Sequence, residues 1–508
     1  MSDLADEEVT SLLSSAGLVV VGGLIYSGST LVERVVISNL LTPEAFGEAS
    51  IGIAILYLGS TLALLGFGQG VARYLSRFDS HADRRGVWLS AVLVTGVATL
   101  ACTVLLYRNT PRIAALLLES PDSPHVVRTF VLALPFMVWM RVGIAGIRGM
   151  ENTVYRTIAR DLLFPIGRIA LIVAFVAAGY GIVGVGYAYL VAAGAAALLA
   201  HYFLHRLFSL VGQVRTHTRE LAKFSAPLVI AGIFGQLLTR TDTIMLGALS
   251  DSYAVAMYSA AHPLAGGILV VLSAFGFLYL PLMSRLDSDA EHEQMNRIYE
   301  TTTKWIYVVT FPAFLTFVFF PADVLRVFFG PAYTDGAAAL VVLSIGFFVN
   351  ALLGRNREML SALGLTQYLL ASNTVAFLVN VAANFVLIPR YGLVGAAAAS
   401  AASFFVMNFV VSGVLAARYG ISPFSWGSVR TYLALPIVLF PPAYVVSGSV
   451  TLTRVTLLPF LVVVGLAALA VVSLTGCLQP DDRVFITFVE DRLGLRIPLV
   501  RRYLPRRQ

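Results

Sequence analysis

The stretch "RYGLVGAAAAS" (Arg390–Ser400) has a near copy, "GYGIVGVGYAY" (Gly179–Tyr189), 211 residues earlier in the chain. Tyrosine, glycine, valine and alanine fall at matching places in both stretches. Three weaker matches occur in the same order, at offsets between 208 and 213, and pair residues 15–23 with 225–233, 74–78 with 282–286, and 152–155 with 365–368. Chance similarity between apolar stretches is the alternative, but four matches in one order favour a duplication. The sequence therefore predicts two halves of similar structure.

The composition indicates a membrane protein. Of the 508 residues, 58% are hydrophobic and only 12% are charged, and the mean hydropathy is +0.82. Soluble domains are closer to half apolar and a quarter charged. The apolar residues come in blocks of about 20, the length of a helix that crosses a bilayer. Cys102 and Cys477 show no metal-ligand spacing, so no metal site is expected. No disulfide is expected either, because the predicted topology places Cys102 deep in one span and Cys477 at the cytoplasmic end of another. The acidic start "MSDLADEEVT" argues against a cleaved signal peptide.

The apolar blocks predict an all-α polytopic fold with about 14 transmembrane helices. The predicted domains are a six-helix bundle at 1–205, a cytoplasmic linker at 206–223, a second six-helix bundle at 224–416, two further helices within 417–475, and a basic tail at 476–508. The predicted spans are 12–32 (with an extension to 40 left open), 47–71, 86–107, 126–147, 158–178, 182–205, 224–249, 254–282, 303–321, 337–354, 367–388, 392–416, 431–447 and 455–475.

The distribution of lysine and arginine predicts the orientation of the chain. With the N-terminus in the cytoplasm, 25 of these residues fall on the cytoplasmic side and six on the outer side. Positive charges concentrate on the cytoplasmic side of membrane proteins, so both termini are predicted to be cytoplasmic. We expect the location to be the cytoplasmic membrane of a prokaryote.

An even number of spans in each half gives both halves the same orientation. The prediction is therefore a parallel repeat around an axis along the membrane normal. Transporters built from such repeats bind substrate near the bilayer midplane and alternate the side from which the site is reached. The duplication favours a transporter of this kind.

Several segments resemble the polysaccharide transporter branch of the multidrug/oligosaccharidyl-lipid/polysaccharide exporter superfamily. The segments that carry the resemblance are "NLLTPEAFGEASI" (39–51), "GFGQGVARYLSR" (66–77), "RTDTIMLGAL" with "VAMYSAA" (240–249 and 255–261), and "MLSALG" with "NFVLIPRYGLVGAAAAS" (359–364 and 384–400). The resemblance covers essentially the whole chain. It implies a fold of two helical bundles and export of lipid-linked oligosaccharide for surface polysaccharide or glycan assembly.

Charged residues within the predicted spans are the candidate site. A charge at bilayer depth costs about 2.5–3.5 kcal/mol, so those that are present should face a cavity or a partner. The planar guanidinium group of arginine matches the oxygens of phosphate. We therefore predict that an anionic head group binds to Arg34, Arg141, Arg168 and Arg240.

Acidic and amide side chains complete the set of candidates. Glu33, Asp161 and Asp242 are predicted to form ion pairs or to bind a coupling Na⁺ or H⁺, and no other cofactor is expected. A structural alternative is that the charges only lock helices together, through the pairs Arg34–Asp242, Glu33–Arg240 and Asp161–Arg168. Asn380 and Asn384, which share a helix face with Asn373, are candidates for sugar hydroxyls, or they hold helices together.

Three other functions are considered. An antiporter for multidrug or organic cations belongs to the same superfamily, but it would favour acidic residues in its cavity. A membrane-embedded glycan polymerase or glycosyltransferase would need acids or histidines on a sizeable outer loop. The glycine patterns "GFGQG" and "GIVGVG" follow no predicted strand, so no nucleotide site is expected. The prediction is thus a non-enzymatic flippase without nucleic-acid partners, whose partners are membrane lipid and lipid-linked oligosaccharide and whose oligomeric state is open.

Overall fold

The structure is a computed structural model that describes residues 22–23, 25–120, 123–274, 276–288 and 291–483. Throughout these residues the regular structure is helical and contains no strand, which confirms the all-α fold class. The helices are α1 (25–40), α2 (Pro43–Leu64), α3 (Phe67–Arg77), α4 (His81–Arg108), α5 (Thr110–Leu117), α6 (Ser123–Gly149), α7 (Thr153–Arg156), α8 (Phe164–Phe175), α9 (Gly181–Leu207), α10 (Thr218–Leu249), α11 (Ser252–Gly266), α12 (Ile268–Ala274), α13 (Gly276–Ser288), α14 (His292–Phe319), α15 (Pro321–Phe329), α16 (Ala337–Leu353), α17 (Asn356–Ala362), α18 (Thr366–Tyr419), α19 (Trp426–Ser447) and α20 (Leu457–Leu474). Two π-helical segments, Thr157–Leu163 and Val176–Tyr180, flank α8, and a 3₁₀ turn covers Pro331–Gly336.

Local sequence signals set several of the helix starts. Thr42 caps α2 by accepting a hydrogen bond from the backbone N–H of Ala45, and Pro43 occupies the first turn. Asn152 caps α7 in the same way through the N–H of Tyr155. Such side chains satisfy backbone donors that the first helical turn leaves free.

Contacts divide the chain into two units, residues 1–259 and 260–508. In the first unit, α6 packs against α2, α4 and α9, and its buried face forms much of the core. The first unit also includes α10, the helix that opens the second half of the sequence repeat. In the second unit, α16 packs against α14 and α18. The domain boundaries predicted from the sequence are not tested by this division and stay predictions.

Ten helices in the described ranges are long and apolar enough to cross a bilayer, or eleven if the bent helix α10 is one span. The predicted number of 14 spans is therefore not confirmed. Two of the ten are continuous stretches of 55 and 54 residues, Thr153–Leu207 and Thr366–Tyr419, and each covers two predicted spans. The predicted span 254–282 is divided among α11, α12 and α13. Residues 12–21 of the first predicted span and 484–508 of the tail lie outside the described residues.

The two copies of the opening stretch share an unusual backbone conformation. Gly181 has φ 53° and ψ −136°, and Gly392, which lies 211 residues later, has φ 53° and ψ −130°. This region is accessible to glycine and strained for other residues. A second pair, Glu151 (φ 56°) and Gly364 (φ 69°), precedes the matched stretches at 152–155 and 365–368. The repeat in the sequence is thus also a repeat of backbone geometry.

In both halves the chain folds back on itself at the matched glycine. A Cβ atom on Gly395 would lie 2.2 Å from the carbonyl oxygen of Leu387, whereas eight residues of straight helix would separate them by about 12 Å. In the first half, a Cβ on Gly184 would lie 3.0 Å from the Cβ of Phe175, and α8 packs against α9. Each long helical stretch is therefore two packed helices joined by a tight turn.

A buried ion pair holds the segment after α20 in the second unit. Lys304 on α14 and Asp482 are both fully buried, and Lys304 Nζ lies 2.5 Å from Asp482 Oδ2. Trp305 Nε1 donates to the other carboxylate oxygen at 2.9 Å, and the N–H of Gln479 donates to Oδ2 at 2.7 Å. Because a buried pair is stable only when its remaining polar atoms are satisfied, this arrangement fixes residues 479–482 on α14.

Replacing Gly395 by Ala should destabilise the protein by about 1–3 kcal/mol, because the added methyl overlaps a backbone carbonyl that cannot move as a side chain can. Gly413 lies in the same helix, α18, and a Cβ there meets nothing within 4 Å. Gly413→Ala is the matched control and should stabilise by about 0.5–1 kcal/mol, since alanine favours helix. Thermal unfolding in detergent measures both. Equal melting temperatures for the two variants would contradict the tight turn.

Candidate substrate-binding site

Three of the four predicted arginines contact Tyr57 on α2. The guanidinium of Arg240, on α10, lies 4.8 Å from the centre of the Tyr57 ring, and that of Arg141, on α6, lies 5.6 Å from it. Arg168, on α8, donates from Nη1 to the Tyr57 hydroxyl at 3.3 Å. Cations are attracted to aromatic faces, most strongly where water is excluded. We call Tyr57 and these three arginines the Tyr57 cluster.

Arg168 is the member of the Tyr57 cluster whose charge is balanced. Arg168 Nη2 forms a salt bridge with Glu33 Oε2, and both residues are buried. Tyr189 donates to the other oxygen of Glu33 at 2.6 Å, and the guanidinium of Arg168 lies 4.8 Å from the Phe164 ring centre and 4.6 Å from that of Tyr189. The pair connects α1, α8 and α9. It replaces the Glu33–Arg240 and Asp161–Arg168 pairs of the structural alternative.

The other three predicted arginines have no carboxylate within 4 Å among the described residues. Arg34 donates from Nη1 to the carbonyl oxygen of Ser259 at 3.1 Å, and Arg141 donates to the hydroxyl of Thr61 at 3.0 Å. Arg240 Nε is buried and has no hydrogen-bond partner in the described part of the chain. Among the described residues, these three guanidinium groups therefore have no direct ion-pair partner.

A cavity of about 360 Å³ in the first unit opens beside the Tyr57 cluster. Its lining includes Arg141 and Tyr57, together with residues of α10, so both halves of the repeat contribute to it. Three further arginines, Arg148, Arg156 and Arg160, line the cavity, and no aspartate or glutamate does so among the described residues. Its volume suits a small polar head group. We call it the arginine cavity.

The three additional arginines were predicted only as cytoplasmic charges. Arg148 is held by the carbonyl oxygen of Gly68 at 2.9 Å and by Gln69 Oε1 at 2.8 Å, and the guanidinium of Arg160 lies 5.2 Å from the Tyr26 ring centre. The sequence contains a signal for one of them. Arg148 is seven residues from Arg141, a predicted site residue, so the two share one face of α6.

The predicted acids occupy different environments. Asp161 lies in the π-helical segment Thr157–Leu163 and is buried, and Arg160 Nε is 3.6 Å from its Oδ1. Asp242 is buried and accepts a hydrogen bond from the Tyr258 hydroxyl at 2.7 Å. Their predicted roles in coupling stay predictions.

The predicted asparagines belong to the second unit. Asn380 and Asn384 are buried, and Asn384 Nδ2 donates to Asn380 Oδ1 at 3.0 Å. Asn373, on the same face, accepts from Arg357 Nη1 at 3.0 Å. Hydrogen bonds between amides are consistent with a role in holding helices, and their proposed contact with sugar stays a prediction.

A family profile described as "Polysaccharide biosynthesis protein" matches residues 12–287, more than half of the chain. The chain belongs to this family. A second profile, MatE, matches residues 227–386. Both matches place it in the superfamily that the sequence segments resemble, and they confirm that part of the sequence analysis.

Two curated relatives match shorter regions. The chain is 23% identical over 184 residues to a protein of Haloferax volcanii named probable low-salt glycan biosynthesis flippase Agl15, a match that covers 36% of this chain and 38% of that protein. An uncharacterized membrane protein of Methanocaldococcus jannaschii is 24% identical over 180 residues, which are 35% of this chain and 36% of that protein. The chain thus matches less than two fifths of the length of either relative.

Solved structures support the fold. The lipid II flippase MurJ in an inward closed conformation superposes with a TM-score of 0.71 at 12% identity, covering 88% of this chain and 97% of that one. An inward-facing multidrug transporter of the MATE family superposes with a TM-score of 0.67 at 16% identity, covering 77% and 94%. At these identities the likeness establishes a shared fold.

Replacing Glu33 by Gln should lower the free energy of unfolding by about 3–5 kcal/mol, because it leaves Arg168 buried without its counter-charge. The double variant Glu33→Gln/Arg168→Met should recover much of that loss, since both charges are then absent. Glu44→Gln, which removes an exposed carboxylate from the first turn of α2, is the control. The measurement is thermal unfolding of purified protein in detergent. A single variant as stable as the wild type would contradict the importance of the pair.

Proposed function

We propose that this protein is a flippase that moves lipid-linked, phosphorylated oligosaccharide across the cytoplasmic membrane of a prokaryote for the assembly of surface polysaccharide or glycan. The phosphate would bind in the arginine cavity. The sugar would follow it through the protein while the lipid chain stays in the bilayer.

The observation that carries the proposal is the charge of the arginine cavity. Four arginines line it, and among the described residues no carboxylate does. Arginine is suited to phosphate because its donors form a planar fork that matches two oxygens of the anion. In a site of low dielectric such contacts are stronger than in water. A cavity of this charge favours an anion and disfavours a cation.

The position of the arginines supports entry from the cytoplasm. Arg148 and Arg156 lie in the last turns of α6 and α7, and Arg160 lies in the π-helical segment that follows α7. The charge distribution predicts these three arginines to be cytoplasmic, whereas Arg141 lies two turns further into α6. The anion would first meet the outer three arginines and then Arg141 and the Tyr57 cluster. This gradient of positive charge offsets the cost of bringing an anion to membrane depth.

The duplicated architecture supports transport by alternating access. A parallel repeat provides two bundles whose relative movement changes the side from which a site is reached. The matched turns at Gly181 and Gly392 join two helices tightly within each half, so each pair would move as one body. The names of two relatives, a glycan biosynthesis flippase and a lipid II flippase, agree with this class of substrate.

The two alternatives fit the site less well. An organic-cation antiporter would place a positive substrate among arginines that repel it. A glycan polymerase or glycosyltransferase would require catalytic acids or histidines, and the arginine cavity offers arginines and tyrosines instead. A non-enzymatic role is therefore part of the proposal.

Translocation of a fluorescent lipid-linked sugar in proteoliposomes tests the proposal. Arg141→Ala, Arg160→Ala and Arg240→Ala should each reduce the initial rate at low substrate by about tenfold or more, since a hydrogen bond to a charged group contributes about 1.5–3 kcal/mol. Arg141→Lys should recover only part of the rate, because lysine keeps the charge but not the fork.

Arg206→Ala is the matched control. Arg206 is an exposed arginine at the end of α9 that does not line the cavity, so its loss should leave the rate unchanged. Unchanged translocation in the Arg141, Arg160 and Arg240 variants would overturn the proposed site. Efflux of an organic cation without any lipid flipping would favour the antiporter.

A further inference from the structure

Asp161 is a buried carboxylate whose surroundings do not satisfy it. Its exposure is 1%, and neither carboxylate oxygen has a hydrogen-bond donor among the residues that the structure describes. It lies in the π-helical segment Thr157–Leu163, and the buried hydroxyl of Thr157 in the same segment also lacks a partner there. Single π-helical turns in α-helices occur frequently at functional sites. An ionised carboxylate without donors is costly at this depth, so the positive charges near Asp161 determine whether it is ionised.

The counter-charge comes from the arginines beside it. Arg160 Nε is 3.6 Å from Asp161 Oδ1, which is too far for a normal hydrogen bond. Arg156 is the second positive group whose charge favours the ionised form of Asp161. Of the elements packed on this segment, α8 carries Arg168 and α9 carries Tyr189 and His201. Arg168 and Tyr189 are bonded to Glu33, and the ring of His201 lies against Trp139 on α6. On the side of α1, Gly22 lies directly against the carboxylate, and Tyr26 lies beside Arg160.

The single positive charge of Arg160 can be offset either by the Asp161 carboxylate or by an anion in the arginine cavity. Arg160 is the closest cation to Asp161, and it also lines the arginine cavity. An anion in the cavity draws the Arg160 guanidinium away from the carboxylate, because phosphate oxygens offer direct hydrogen bonds. Asp161 then loses the partner that stabilises its ionised form.

We propose that Asp161 is a proton-binding site that fills when an anionic head group binds in the arginine cavity. In the empty protein the ionised Asp161 faces Arg160. In the occupied protein Arg160 binds the phosphate, and Asp161 takes one proton from water to become a neutral carboxylic acid. This inference rests on the proposed function, since it assumes that the cavity binds a phosphate anion.

The exchange keeps the net charge of the site constant. The phosphodiester brings one negative charge and the proton brings one positive charge, so binding adds no net charge to a cavity of low dielectric. By linkage, an anion that promotes proton binding binds more tightly when protons are abundant. The affinity for the anion should therefore rise as the pH falls.

Isothermal titration calorimetry with glucosyl farnesyl phosphate tests the inference. This probe is a phosphodiester, so it does not itself titrate near neutral pH. Titration in two buffers of different protonation enthalpy gives the number of protons taken up. The wild type should take up about one proton per probe bound, and Kd should fall by up to about tenfold for each unit decrease in pH.

The variants separate this inference from the proposed function. Asp161→Asn should bind the probe without proton uptake and with a Kd that no longer follows pH, while Glu44→Gln, an exposed carboxylate on α2, should behave as the wild type. Arg160→Gln should bind more weakly and also without uptake, because Asp161 already lacks its partner. Binding without proton uptake in the wild type, or equal uptake in Asp161→Asn, would overturn the inference alone. Failure of the wild type to bind the probe would overturn the proposed site as well.

Discussion

The first unit depends on keeping guanidinium groups inside a membrane protein without giving each a carboxylate. Within the Tyr57 cluster, Arg168 alone has such a partner among the described residues, Glu33, and that pair joins α1, α8 and α9. The other two arginines of the cluster, Arg141 and Arg240, lie against the ring of Tyr57. Aromatic faces lower the cost of a buried cation without neutralising it. We propose that the remaining positive charge attracts an anion into the adjacent cavity.

Much of this arrangement follows from the sequence. Composition identified a helical membrane protein, and the repeat at Arg390–Ser400 marked a turn that recurs at Gly181 and Gly392 with the same backbone angles. Arg141, Arg168 and Arg240 were predicted as site residues because a charge at membrane depth is costly unless it faces a cavity or a partner. In the structure these three arginines contact one tyrosine, Tyr57. Each of these predictions used a physical rule that acts locally, on composition or on a single helix.

The features that could not be predicted from the sequence depend on contacts between residues that lie far apart in the chain. The chain has 21 tyrosines, and nothing local distinguishes Tyr57 from one that faces lipid. The partner of Arg168 is Glu33, 135 residues away, so helical spacing suggested the nearer Asp161 instead. Arg148, Arg156 and Arg160 fit the cytoplasmic charge bias so well that a second role was not considered. The predicted number of 14 spans is not confirmed, because at each glycine turn two predicted spans continue into each other as one helical stretch without a loop.

The most direct measurement is a cryo-electron microscopy structure of the protein with glucosyl farnesyl phosphate bound. We expect density for the phosphate in the arginine cavity, within hydrogen-bond distance of Arg141 and Arg160, with the guanidinium of Arg160 turned away from Asp161. A probe bound elsewhere, with the arginine cavity empty and Arg160 still beside Asp161, would contradict the central claim.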